Sequence, residues 1–146
     1  MLTFDEIRPE QLDDLAQLYA DTFNAPPWND HWTIATAKGR LQLMLQNPAS
    51  CTLAAHQNGA PAGFVLGVRE QYYDGLVVEI KEFCVRNDLR GQGIGSALYG
   101  QYQSRLQKAG ILRVILTTLR GPQTQPFYQK QGFQEAHQLC IMSKTL

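Results

Sequence analysis

Twelve residues constrain this chain more than any others: Val85-Arg86-Asn87-Asp88-Leu89-Arg90-Gly91-Gln92-Gly93-Ile94-Gly95-Ser96. An apolar run that reads as a strand, Leu76 to Val85, ends there, and a stretch with helical periodicity, Gly93 to Ala109, begins there. Within that stretch Ile94, Ala97, Leu98, Tyr102, Leu106 and Ala109 fall on or near one face, and Gly110 stops it. Three glycines in five residues let the backbone take φ > 0 and come close to a guest. The first N–H groups of the helix then face outward, where the helix dipole favours an anion, and a pyrophosphate is the natural guest. A third run, Ile111 to Thr117, completes a strand–helix–strand unit, which predicts one parallel pair with a right-handed crossover.

The rest of the chain surrounds that unit with antiparallel strands and helices. Leu2 to Ile7 reads as a strand, and residues 9–23 as a helix entered at Pro9, with Leu12, Leu15, Ala16, Tyr19 and Phe23 at helical spacing. Pro26-Pro27 breaks it. Thr33 caps a second helix whose stripe is Ile34, Ala37, Leu41 and Met44, and Asn47-Pro48 ends it. Cys51 to His56 and Ala62 to Val68 form a hairpin around Asn58-Gly59, and Asp74-Gly75 makes the next turn. A short helix from Pro126 to Gln131 precedes a last strand or two, from Phe133 to the end. The predicted order is β-α-α-β-β-β-α-β-α-β: a single mixed α/β (α+β) domain, residues 1–146, with a mostly antiparallel sheet flanked by helices.

Other glycine-loop chemistries fit less well. A P-loop needs a lysine after its last glycine, and Ser96 follows Gly95. A dinucleotide fingerprint needs its third glycine where Ser96 stands, and belongs to an early βαβ unit rather than one preceded by antiparallel strands. Thirteen basic residues against thirteen acidic ones give no basic excess for nucleic acid. No apolar run approaches the roughly 20 residues that span a bilayer. The first residues lack the pattern of a signal peptide, so a cytoplasmic location is expected. Cys51, Cys84 and Cys140 are too scattered for a disulfide framework or a zinc site, and His31, His56 and His137 show no metal spacing, so no metal is expected.

The loop resembles the acetyl-CoA motif of the GNAT superfamily of N-acetyltransferases, Gln/Arg-x-x-Gly-x-Gly/Ala, with Arg90, Gly93 and Gly95 at its fixed positions. The later Phe127-Tyr128-Gln129-Lys130-Gln131-Gly132-Phe133 is similar to the family's Phe-Tyr-x-Lys-x-Gly-Phe. Asn87 stands where a typical member has Pro. The Asn that many members carry before the Phe-Tyr pair is also missing, leaving Gln123 or Thr124 to substitute. The resemblance implies acetyl-CoA as cosubstrate. Its pantetheine would lie along Phe83-Cys84-Val85, in a splay beside the Ile111–Thr117 strand. Its pyrophosphate would rest on the N–H groups of Gly91, Gln92, Gly93, Ile94, Gly95 and Ser96, with Arg90 shaping the loop or touching a phosphate. An N–H at the end of the Phe83–Val85 strand would stabilise the oxyanion formed during transfer.

Transfer to an amine calls for a general base, since alkylamines are protonated at pH 7. Counting back from Arg90, Glu79 aligns with the glutamate base of some members, and Glu82 with an acidic position bordering the acceptor site in many bacterial ones. Glu79 is the first choice and Glu82 the second, against the plain reading of both as surface charges. On a regular strand adjacent Lys81 and Glu82 point to opposite faces, so one charge faces the covered side unless a bulge intervenes. Tyr128 aligns with the family's tyrosine acid for the leaving thiolate; without the motif it would be a core aromatic.

For the acceptor, the segment joining the first two helices holds Trp28, Asp30 and Trp32, and Tyr72 and Tyr73 lie in a later turn taken as the opposite wall. Stacking and charge there suit a small amine. Equally, the tryptophans pack the helix entry. The expected activity is therefore acetyl transfer from acetyl-CoA to a primary amine of a small molecule. The alternatives are a non-catalytic acetyl-CoA-binding or regulatory module and a protein lysine or N-terminal acetyltransferase. The family often forms dimers, so a homodimer belongs to the expectation; nucleic acid and membrane do not.

Overall fold

The computed structural model describes residues 1–146. Five strands lie in one sheet in chain order: β1 (Leu2–Asp5), β2 (Ser50–Gln57), β3 (Ala60–Tyr72), β4 (Gly75–Val85) and β5 (Arg113–Leu116). The first four pair antiparallel and β4 pairs β5 in parallel, as the crossover through α3 (Ile94–Lys108) requires. Helices α1 (Leu12–Phe23) and α2 (Ile34–Leu45) cover one face, and α3 covers the other; α4 (Gln125–Lys130) follows β5.

Local signals set these elements. Thr33 accepts from the Thr36 N–H at 3.0 Å and starts α2 as a capping box. Asn58 and Gly59 take φ of 51° and 83°, the left-handed pair of a two-residue hairpin. Pro9 opens a 3₁₀ turn, Pro9–Gln11, and α1 proper begins only at Leu12. Two cores result. Leu15, Ala16, Tyr19, Leu41, Phe64 and Leu66 pack under α1 and α2, while Leu53, Val65, Val78, Ile80, Leu98 and Tyr102 pack under α3.

The expected closing strand does not form. Residues 133–146 make no ladder, and Leu139, Ile141 and Met142 are 72%, 72% and 88% exposed. The apolar run there is strand-like in composition, but a strand exists only through a hydrogen-bonded neighbour. β5, four residues long, pairs only with β4. No helix is long and apolar enough to cross a membrane.

Candidate active site

β4 and β5 pair only from Val77↔Arg113 to Ile80↔Leu116. Beyond Ile80, β4 runs on for five residues without a neighbour on that side, so the sheet splits open. Arg86 donates its N–H to the Ala62 carbonyl at 2.8 Å, toward β3. By strand alternation Cys84 also faces β3, whereas Phe83 and Val85 turn their backbone N–H and C=O groups into the split.

The register also shifts between Leu66 and Gly67, which face Glu82 and Ile80, so Lys81 is an extra residue. This bulge answers the question left by the adjacent Lys81 and Glu82. Ile80 and Phe83, three apart, both pack toward α3; Glu82 and Cys84 turn toward α1 and α2. Alternation below the bulge puts Glu79 on the α1/α2 face too, where it pairs with Lys81 at 2.9 Å.

The split opens into a cleft of about 650 Å³. Phe83, Cys84 and Val85 line one side, and Arg90, Gly91, Gly93, Ile94, Gly95 and Ser96 one end. Gly91 and Gly93 sit at φ of 76° and 81°. Added Cβ atoms there would meet nothing within 4 Å, so these glycines answer a backbone demand and leave room above the loop. Gly93 caps α3, and the first bond of that turn is Ala97 N–H to the Gly93 carbonyl. The N–H groups of Ile94, Gly95 and Ser96 therefore have no partner within the helix. Gln131 Nε2 donates to Ser96 Oγ at 2.9 Å and ties α4 to this helix start. Gln92, between the two left-handed glycines, is exposed and its residue is outside the cleft lining.

Tyr128 lines the same cleft, edge-on to Phe83, Phe127 and Phe133 at 6.3, 5.1 and 5.8 Å between centroids. Burial, reinforced by Cys84 and Glu82, pushes its phenol above the usual range, so it stays protonated at neutral pH. Cys84 is buried, and burial drives its thiol up as well, which makes it inert. Thr124 spends its hydroxyl on the Leu119 carbonyl, so Gln123 is the freer polar side chain where many relatives of this motif carry Asn.

Glu82 is 6% exposed, accepts from the Tyr19 hydroxyl at 3.0 Å, and takes Arg40 Nε at 2.5 Å. Burial raises its carboxyl above the ordinary 4.5, and Arg40 opposes that rise. Its charge acts on Tyr128 and Cys84. The bulge thus sets Glu82 against Tyr19 and Arg40, and leaves Glu79 against Lys81. A bulge cannot be read from residue types, so counting along the motif could not find it.

The tryptophans separate. Trp28 lines the cleft beside the glycine loop, with the Arg90 guanidinium 5.4 Å from its ring centroid and Phe23 edge-on at 4.9 Å. Trp32 lies toward Glu82: its ring stands 5.0 Å from Tyr19 and 5.9 Å from the Arg40 guanidinium, and its Nε1 donates to Asp30 at 3.1 Å. Asn24 braces this segment, accepting from the Trp32 N–H at 2.7 Å and donating to its carbonyl at 2.9 Å. Tyr72 and Tyr73 are not a wall of this site. They are not in the cleft lining and sit at the Tyr72↔Gly75 end of the hairpin, seven residues of β4 from Glu82, or roughly 23 Å at ~3.3 Å per residue. There Arg113 stacks on Tyr72 and pairs with Asp74, and Tyr73 is fully exposed. The long β3 strand, 13 residues, carries that turn away.

Sequence reasoning missed Tyr19 and Arg40, whose roles depend on which helix covers β4, and Thr118 and Lys130 in the cleft. Lys130 was visible in the Phe-Tyr motif as a residue without a role. No group of three His, Cys, Asp or Glu side chains could hold a metal ion.

The fold is shared widely. A possible acetyltransferase from Clostridium difficile 630 superposes with a TM-score of 0.84 at 14% identity, over 100% of this chain and 99% of that one. A ribosomal-protein-alanine N-acetyltransferase from Brucella melitensis gives 0.77 at 18%, over 99% and 100%. AAC(6')-Iy, solved with the bisubstrate analogue CoA-S-monomethyl-acetylneamine, gives 0.76 at 18%, over 100% and 99%. No curated protein matches the sequence. A family model does: it runs across residues 12–133, from the first helix through the Phe-Tyr motif, and by that match the chain belongs to the acetyltransferase (GNAT) family.

Proposed function

We propose that this protein moves the acetyl group of acetyl-CoA directly to a primary amine of a small molecule. The observation that carries the proposal is one cleft holding both the unpartnered N–H groups at the start of α3 and the Tyr128 phenol, beside the open edge of β4. The loop N–H groups hold the pyrophosphate, and the Phe83 and Val85 backbone groups orient the pantetheine arm. Acetyl-CoA supplies the activated acyl group. Tyr128 donates a hydrogen bond to the departing sulfur. A phenol held above its usual pKa does not protonate a thiolate fully, so its part is to stabilise charge while the sulfur leaves. Glu82, rather than Glu79, takes the amine proton, directly or through water. The relation to AAC(6')-Iy, whose analogue joins CoA to an acetylated amine, supports an amine acceptor. The aromatic and acidic side chains of Trp32, Asp30 and Glu82 give a small ammonium group its surroundings.

The test is a panel of small amines and of lysine and N-terminal peptides, read by thiol release from acetyl-CoA. Acetylation of small amines supports the proposal. Acetylation of peptides alone, or tight acetyl-CoA binding with no acceptor turned over, defeats it.

Substitutions at four positions probe the assignments. Tyr128→Phe lowers kcat about 10- to 100-fold and leaves the Kd for acetyl-CoA within about twofold, since one charge-stabilising donor is lost. Glu82→Gln lowers kcat about 100-fold and removes the acidic limb of the pH–rate profile, which lies above 4.5 because the carboxyl is raised. Glu79→Gln changes kcat less than about threefold; a larger loss with Glu82→Gln near wild type returns the base to Glu79. Trp28→Ala weakens acetyl-CoA about fivefold through the lost ~1 kcal/mol stack on Arg90 and leaves the acceptor KM unchanged, and Trp28→Phe recovers part of the loss. An effect confined to the acceptor KM would restore Trp28 to the acceptor wall.

A further inference from the structure

Glu82 is the only buried charged residue of the chain, and its two oxygens differ. The bulge at Lys81 turns it under α1 and α2, where Tyr19 and Arg40 meet it. Both donors go to one atom. The Tyr19 hydroxyl reaches Oε1 at 3.0 Å, and Arg40 Nε reaches the same Oε1 at 2.5 Å. Oε2 takes no hydrogen bond from the protein. No enclosed side-chain oxygen or nitrogen lacks a partner, so Oε2 is not enclosed: the small part of Glu82 that meets solvent includes this atom.

A pairing that served the fold alone would be built otherwise. A buried charge is tolerated when its lone pairs are met, and arginine meets a carboxylate best with two parallel N–H groups, one to each oxygen. Arg40 instead spends Nε on the oxygen that Tyr19 already holds. The Tyr19 ring packs on Phe23 and Trp32 at 4.7 and 5.0 Å, contacts that a phenylalanine would keep, so its hydroxyl serves Glu82. The charged and titratable groups around Glu82 are Tyr19 on α1, Arg40 on α2, Asp30 on the connection between those helices, Cys84 on its own strand and Tyr128 on α4. β3 presents Leu66 there, β5 does not reach that far, and Lys81 and Glu79 on β4 pair with each other. Burial favours the neutral acid, which cannot accept a proton; Arg40 and then Tyr19 oppose burial, and Asp30 assists it.

We infer that Tyr19 and Arg40 are positioning residues of the acetyl transfer: together they hold Oε1 of Glu82 and leave Oε2 as the oxygen that takes the amine proton. The inference rests on Glu82 as the base. An oxygen that already accepts two hydrogen bonds is a poor proton acceptor, whereas its open neighbour keeps its lone pairs. Fixing Oε1 also stops the carboxylate from rotating, so Oε2 keeps one aim.

Two readouts test it: the acidic limb of the kcat/KM profile, which reports the free enzyme, and an NMR titration of the Glu82 carboxyl carbon in the free protein. In Arg40→Met both move to higher pH by at least about one pH unit, because the opposing charge is gone, and kcat on the plateau falls about tenfold as Oε2 loses its aim. Tyr19→Phe moves both by about half a pH unit in the same direction. Arg40→Lys, which keeps the charge and loses the guanidinium, holds both within about half a pH unit of the parent. Neither Tyr19 nor Arg40 lines the cleft, so the Kd for acetyl-CoA stays within about twofold in all three. A Glu82 carboxyl that titrates in Arg40→Met where it does in the parent, or a loss of kcat with the limb unmoved, assigns the pair to the fold alone and overturns the inference. Should Arg40→Met not fold, Tyr19→Phe decides by the same readouts, since it keeps the ring packing. Failure of Glu82 as the base shows separately, as a limb that survives Glu82→Gln, and takes this inference with it.

Discussion

Gly93→Val weakens acetyl-CoA binding about a hundredfold while the protein stays folded. Gly93 holds φ of 81° at the start of α3, and the space beside it is open. A valine therefore meets no clash; it meets a backbone conformation that β-branched residues avoid, at about 1–3 kcal/mol. The loop relieves that strain by turning Gly93 toward negative φ. The turn moves the N–H groups of Ile94, Gly95 and Ser96 off their common target. Charge-assisted hydrogen bonds are worth ~1.5–3 kcal/mol each, so misaiming one or two accounts for two decades of affinity. Calorimetric titration of acetyl-CoA with the variant, beside its thermal midpoint, tests both halves. Binding within about threefold of wild type would remove the loop from the phosphate-holding role.

What could be read from the sequence and what could not divide along one line. The glycine loop was legible because its function is local: residues 90–96 fix their own backbone and the adjoining helix start. The Thr33 cap and the Asn58-Gly59 turn were legible for the same reason. What could not be read required knowing a neighbour. The bulge at Lys81 depends on how β3 and β4 align, and it turns Glu82 toward Tyr19 and Arg40. The turn at Tyr72 and Tyr73 stands at the right place in the order of elements for an acceptor wall, but the length of β3 carries it away from the cleft. Trp28 and Trp32, four residues apart in one segment, part company. One packs on Arg90 at the loop, and the other leans toward Arg40 and Glu82. The tail from Phe133 has the residues of a strand and lacks the pairing that would make it one.

Gly67→Val, in contrast, costs the fold rather than the site. Gly67 is not among the residues at positive φ, so no backbone conformation demands glycine there. What demands it is space: a Cβ would stand 2.4 Å from the Tyr102 hydroxyl, 2.7 Å from Val78 Cγ1 and 3.1 Å from the Glu79 carbonyl. Tyr102 is 2% exposed and bonded to the Cys51 carbonyl, and the Glu79 carbonyl belongs to β4, so neither gives way freely. Overpacking of this kind costs about 1–3 kcal/mol for small insertions and more for larger ones. Gly67→Ala is thus expected to lose about 2 kcal/mol in urea unfolding, and Gly67→Val to exceed 3 kcal/mol or fail to accumulate in soluble form. Tyr102→Phe tests the cause, because it removes the atom nearest the new Cβ. On its own it sacrifices one hydrogen bond, about 1 kcal/mol. In Gly67→Ala/Tyr102→Phe the two losses sum to less than their separate values by about 1 kcal/mol, the signature of two groups competing for one space. Strict additivity would show that Gly67 is required for something other than the room Tyr102 occupies.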